Sequence, residues 1–198
     1  MRYRPKKTYY EPMIIGIDEV GRGCWAGPVC VAAVALEGII PGLADSKKLT
    51  SEQREILAAQ IRRQATYIGL GWASHKIIDK FGLTVALRRA AKQALRAFPR
   101  DYQQILLDGN FNYIGFKRVT TIIKGDDKEP IISAASIIAK VARDRYMYAI
   151  SRNYPQYGFE RHVGYGTLFH RNAIKKLGPS KIHRMSWTPL RGESIVVD

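Results

Sequence analysis

MIIGIDEVGRGCWAGPVCVAAVAL, residues 13–36, decides the fold class. Met13 to Asp18 is an apolar run of strand length, and Val29 to Leu36 is a second. Gly21, Gly23 and Gly27, followed by Pro28, mark an irregular turn between them, so the two runs read as a buried hairpin. Further along, helical and strand patterns alternate. Thr50 opens a helix, with Gln53 three residues on completing a capping-box pattern and Leu57, Ile61 and Ala65 on the apolar face. Ala65 to Ala73 reads as a third strand. Ser74 and Thr84 read as caps of two successive helices, the second ending at the proline after Phe98. Gln104 to Asp108 and Val119 to Ile123 are short β-type runs. Glu129 to about Arg152 is a long helix entered through Pro130, and Phe169 to Leu177 is a further helix. This order predicts an α/β protein built on a mixed sheet flanked by helices, with a small helical segment at about 154–187. Residues 1–12, with Arg2, Arg4, Lys6, Lys7, Tyr9 and Tyr10, read as a solvated basic tail, leaving 13–198 as one domain.

The charge balance narrows the partners. Lys and Arg number 32 against 17 Asp and Glu, a net charge of +15, which favours a polyanion. No run approaches the ~18 apolar residues of a membrane span. No helix combines a basic face with exposed Trp or Leu, so the excess points to nucleic acid rather than a membrane surface. The N-terminus has neither the apolar stretch nor the small-residue cleavage site of a secretory signal. Two cysteines, Cys24 and Cys30, make no disulfide framework, and a reduced, cytoplasmic setting is expected. His75, His162, His170 and His183 are scattered, with no spacing suited to zinc. No feature calls for an obligate oligomer, and a monomer is expected.

Four carboxylates stand out. Asp18 and Glu19 end an apolar strand before the glycine-rich turn, and Asp108 ends another before Gly109 and Asn110. Acids in such places face water, cap a turn or bind a cation. Strand alternation sends Asp18 and Glu19 to opposite faces unless the strand ends or bulges there. Asp144 lies within the long helix among Lys140, Arg143 and Arg145. It is either a surface ion pair with Lys140 or a carboxylate facing the strand ends. On a chain this basic, the four acids suggest phosphodiester hydrolysis. Two divalent ions ~4 Å apart would offset charge repulsion, activate a water and stabilise the leaving alkoxide. Oxygen ligands without a Cys or His cluster point to Mg²⁺ or Mn²⁺. Gly21-Arg22-Gly23 lacks the spacing of a dinucleotide fingerprint and leads into a strand. It reads better as a loop where backbone approaches a ligand closely.

Five blocks in order, GIDEVGRGCWAGPV (16–29), DSKKLT (45–50), LLDGN (106–110), KGDDKEPIISAASIIAKVARDR (124–145) and GYGTLFHRNAIKKLGPSKIHRMSW (164–187), resemble ribonuclease HII. The resemblance implies a ribonuclease H-like mixed sheet flanked by helices. It also implies metal-dependent endonucleolytic cleavage of the RNA strand of RNA–DNA hybrids, and incision on the 5′ side of single ribonucleotides in duplex DNA. It assigns Asp18, Glu19, Asp108 and Asp144 as the catalytic, metal-holding acids. Gly21, Arg22 and Gly23 become the loop that recognises the ribose 2′-hydroxyl, and Tyr165 the tyrosine that stacks on the neighbouring deoxyribose. Lys47 and Lys48 are expected to contact phosphate. Ser133 and Ser136 match small polar positions that helix context makes structural. The chain departs from the family pattern at Cys24-Trp25, Leu168-Phe169 and Trp187, none of them an expected metal ligand. Twelve residues before the first strand leave no room for the extra N-terminal domain of the sister family, ribonuclease HIII.

From Arg161 to Arg184 there are six Lys or Arg, three His and no acid, with Tyr165 and Phe169 interleaved. Basic residues neutralise phosphates and aromatic faces stack on sugars or bases, so the block reads as a nucleic-acid surface, with each histidine singly more structural than functional. Two other readings remain open: a binding module that keeps the fold without turnover, and a metal nuclease of the same fold acting on DNA structures.

Overall fold

The computed structural model describes residues 13–38, 40–43 and 49–190. The tail at 1–12, Lys47 and Lys48 lie outside the described residues. The elements in chain order are β1 (Ile14–Val20), β2 (Val29–Leu36), α1 (Ser51–Gln64), β3 (Ala65–Ala73), α2 (His75–Phe81), α3 (Leu83–Ala94), β4 (Gln104–Asp108), β5 (Val119–Ile122), α4 (Gly125–Lys128), α5 (Pro130–Ser151), α6 (Phe159–His162) and α7 (Leu168–Leu177). The sheet order is β3-β2-β1-β4-β5. The β1–β2 and β2–β3 pairs are antiparallel, whereas β1–β4 and β4–β5 are parallel. The α/β mixed sheet expected from the hairpin stretch is therefore present.

Both faces of the central strands are covered, which is why β2 is apolar at every position. Val31 and Ala33 pack with Ile15, Ile17, Ala90 and Ala94 on the α3 side. Ala32 and Val34 pack with Ile61, Ala134 and Ile138 on the side of α1 and α5. Thr50 caps α1 through the full capping box, and Ser74 caps α2. Thr84 does not cap α3. Gly82, at φ 79°, ends α2 and starts α3 at once, so the helix opens at Leu83 without a side-chain cap. The short α4 and α6 are too brief to leave a helical period in the sequence.

The C-terminal segment shares a core with the hairpin turn. Trp25 and Met147 pack with Tyr157, Phe159, Ile174 and Ile182, and isolated bridges join Cys24 to Tyr165 and Ala26 to His183. Gly16 lets α5 lie directly on β1, because a Cβ there would meet the Ile131 carbonyl. Replacing Gly16 by Ala should therefore destabilise the fold by about 1–3 kcal/mol through overpacking. Urea unfolding would register this as a lower midpoint at unchanged slope.

Candidate active site

β1 neither ends nor bulges at its acids. Asp18 is opposite Ala32 and Glu19 opposite Val31 in a regular ladder. The two side chains accordingly leave on opposite faces. Asp18 takes the α5 side, where it is 6% exposed and hydrogen-bonded by Ser136. Glu19 takes the α3 side, where Tyr113 donates its hydroxyl to Oε2 at 2.8 Å and Arg22 donates to Oε1 at 2.8 Å. What unites them is the sheet margin. The parallel partner β4 is last in register at Ile17–Leu107, and its next residue is Asp108. Asp108 thus ends its strand beside Asp18, in the crevice beyond the carboxyl ends of two parallel strands, where open α/β sheets place ligands. Burial, then the Glu19 charge, pushes the Asp18 carboxyl well above its ordinary value, with Asp108 adding to the rise. Glu19 is also raised, chiefly by burial, against the opposing pull of Tyr113 and Arg22.

The turn after β5 delivers a further acid. The Gly125 N–H donates to Asp108 Oδ1 at 2.7 Å, and Asp126, the next residue, is 6% exposed. Asp144 stands elsewhere. It forms the i−4 ion pair with Lys140 at 2.9 Å. It also lies eight residues beyond Ser136, the α5 residue that touches Asp18, which is about 12 Å along a helix axis. The structure therefore brings Asp18, Glu19 and Asp108 together and adds Asp126 next to Asp108, while Asp144 is held by Lys140. Sequence reading passed over Asp126 because it sits in a polar run, GDDKE, with no strand or helix period to single it out. Among the described residues, no three of His, Cys, Asp and Glu form a ready ligand cluster. A pocket beside Asp108 is lined by Arg22, Leu87, Asn110, Phe111 and Tyr113.

The glycine-rich turn lies over two buried arginines. Gly21 holds φ 93°, and a Cβ there would strike the Arg143 guanidinium, so only glycine fits. Arg143 donates to the carbonyls of Pro28 and Val163, each at 2.8 Å, and of Ala26 at 3.2 Å. Tyr165 is 39% exposed and is bridged to Cys24 of the turn. The basic block divides. Arg184 and all three histidines are buried, whereas Arg161, Arg171, Lys175, Lys176 and Lys181 face outward. Of the two aromatic departures, Trp25 is internal, packed on Gly166 and 6.0 Å from the His170 ring, while Phe169 is half-exposed beneath the Arg161 guanidinium. Cys24 and Cys30 are buried free thiols, and burial pushes Cys30 up to about 12.

Hydrogen bonds fix the histidine tautomers. The Ser180 N–H donates to His183 Nδ1 at 2.7 Å, so His183 carries its proton on Nε2 and donates it to His170 Nε2 at 2.9 Å. His170 must then donate from Nδ1 to the Tyr165 carbonyl at 2.9 Å. Burial lowers His170 to about 3 and His183 to about 4, from the ordinary 6.5. The unfolded chain binds these protons near pH 6.5 and the folded chain refuses them until far lower pH. Stability should thus be full above pH 6.5 and fall toward pH 4, by up to about 1.4 kcal/mol per pH unit per histidine. Denaturant unfolding across that window checks the slope, and His170→Gln should reduce it.

Among the described residues, no helix is long and apolar enough to cross a membrane. The family model "Ribonuclease HII" matches residues 15–190. Ribonuclease HII of Thermosynechococcus vestitus is 49% identical over 88% of this chain and 83% of its own length. Ribonuclease HII of Streptomyces avermitilis is 44% identical over 90% of this chain and 78% of its own length. The structure of the PCNA:RNase HII complex from Archaeoglobus fulgidus superimposes with a TM-score of 0.75 at 29% identity, covering 89% of this chain and 95% of that one. A match that begins within β1 and continues past α7 makes this chain a member of the ribonuclease HII family, endonucleases with ribonuclease H activity.

Proposed function

We propose that the chain cuts the RNA strand of RNA–DNA hybrids and incises duplex DNA on the 5′ side of a single embedded ribonucleotide, leaving a 3′-hydroxyl and a 5′-phosphate. The observation that carries this reading is the Arg22–Glu19 ion pair, 2.8 Å long. It ties the loop that resembles a 2′-hydroxyl reader directly to the acidic crevice, so recognition of a ribose and hydrolysis of the adjoining diester fall within one site.

Asp18, Glu19, Asp108 and Asp126 are the residues that would hold Mg²⁺ or Mn²⁺. The donor set fits such ions. Its ligands are hard oxygens, and the raised Asp18 and Glu19 carboxyls are crowded negative charges that a cation would relieve. When bound, the two ions would offset the charge of the diester, acidify water and stabilise the leaving alkoxide. Ser136 and Tyr113 orient Asp18 and Glu19 by hydrogen bonds. Gly21, Arg22 and Gly23 approach the ribose, whose 2′-hydroxyl distinguishes RNA from DNA. Tyr165 offers its ring to the neighbouring sugar. The five outward basic residues of the C-terminal block, with Lys47 and Lys48, bind backbone phosphate and carry affinity without sequence choice.

The test is cleavage of an end-labelled DNA duplex containing one ribonucleotide, with Mn²⁺, Mg²⁺ or EDTA, beside an all-DNA duplex. Metal-dependent cutting 5′ of the ribonucleotide, with the all-DNA duplex intact, is expected. Binding without cutting would favour the binding-module reading, and cutting of the all-DNA duplex would favour a DNA nuclease. The fourth acid is tested separately. Asp126→Asn should lower kcat by about 100-fold or more, whereas Asp144→Asn should stay within about tenfold of wild type. The reverse order would return Asp144 to the site.

A further inference from the structure

Arg184 is fully buried, yet among the described residues it forms no ion pair with a carboxylate. A buried guanidinium whose hydrogen bonds all go to neutral carbonyls, with the Asp79 charge acting on it without an ion pair, is costly, and an apolar side chain of similar volume would pack there at less expense. What the guanidinium supplies is a planar fork of donors. Nη2 donates to the Gly21 carbonyl at 2.6 Å, Nη1 to the Arg22 carbonyl at 2.9 Å, and Nε to the Gly27 carbonyl at 3.0 Å. The Arg184 backbone N–H donates to the Trp25 carbonyl at 2.8 Å. One residue therefore engages both ends and the middle of the glycine-rich turn.

The direction of those bonds matters. In a planar trans peptide the N–H points opposite to the C=O. With the Gly21 and Arg22 carbonyls drawn down onto Arg184, the N–H groups of Arg22 and Gly23 point away from it. Neither N–H has a protein partner among the described residues. His183, the preceding residue, is bridged to Ala26 in the same turn and donates through His170 to the Tyr165 carbonyl. The turn and Tyr165 face each other, since a Cβ on Gly23 would lie 4.0 Å from Tyr165 Cε1.

We infer that His183 and Arg184 form a positioning device that presets both halves of the ribose reader: Arg184 fixes the outward set of the Arg22 and Gly23 amides, and His183, acting through His170, fixes Tyr165. This rests on the ribose-reading function proposed above. The device is a fork and a fixed tautomer chain, so charge alone does not replace it.

The experiment uses the full chain silenced by Asp18→Asn. Dissociation constants are measured by fluorescence anisotropy for a duplex with one ribonucleotide and for the same duplex in all-DNA form. The silenced parent should prefer the ribonucleotide duplex. Adding Arg184→Lys, which keeps the charge and loses the fork, should reduce that preference by about tenfold or more while all-DNA affinity stays within about twofold. A preference that survives overturns the inference, as does an equal loss of affinity for both duplexes, the mark of a general structural or phosphate-binding role. If the parent itself shows no preference, the ribose-reading function fails, and this inference falls with it. Should Arg184→Lys not fold, His170→Gln leaves Arg184 in place and interrupts the path to Tyr165. It should lower the preference in the same way, and an unchanged preference there overturns the assignment.

Discussion

Burying negative charge at the end of β1 is the constraint around which this molecule is arranged. Asp18 and Glu19 lie in a strand that is covered on both faces, and Asp108 ends the neighbouring strand beside them. Desolvation opposes ionisation of such groups and their proximity opposes it further. The surroundings answer with donors rather than with a full set of counter-charges. Ser136 reaches Asp18 from α5, Tyr113 reaches Glu19 from the loop after β4, and the Gly125 N–H reaches Asp108. Among the described residues Arg22 is the one cation that pairs with Glu19, and its side chain is largely exposed. The crevice is therefore left rich in negative charge within a protein of strongly positive surface.

That contrast divides the labour of binding a polyanion. In the proposed function, the outward Lys and Arg on and around α7 would supply affinity for phosphate, of a sequence-independent and salt-sensitive kind. The acidic crevice would repel phosphate unless cations intervened, so on the proposed function a duplex would engage it only together with metal ions. The glycine-rich turn lies at the boundary between the two regions. It is tied to the acids through Arg22 and to the C-terminal segment through Arg184. The C-terminal segment shares a hydrophobic core with the turn.

Two buried arginines beneath one short turn explain several sequence features together. Gly21 must be glycine because Arg143 occupies the space of its side chain. Val163 and Gly164, next to Tyr165, adopt positive φ, and the Val163 carbonyl accepts from Arg143. The histidine chain stays neutral through burial, and His162 adds to the effect at both His170 and His183. Trp25, a departure from the family pattern, fills the space behind Gly166 rather than facing outward. Its effect on substrate choice would thus be transmitted through the position of Tyr165.

The sequence by itself determined the strands, the helices opened by Thr50 and Ser74 and the acid ending β4, because each rests on local periodicity, capping or turn chemistry. Thr50 with Gln53 is a complete signal within four residues, and the all-apolar β2, short and preceded by Gly27 and Pro28, fits a strand buried on both faces. Only the tertiary structure decided which acids meet. Asp144 sits in a strong helical pattern but is paired to Lys140, while Asp126 sits in a patternless polar run and is carried to Asp108 by the turn after β5. It also decided that Arg184, one basic residue among several in its block, is interior. Burial and convergence depend on contacts between residues more than a hundred positions apart, such as Arg184 with Gly21 and Arg143 with Pro28. No local pattern of charge or hydropathy encodes such contacts.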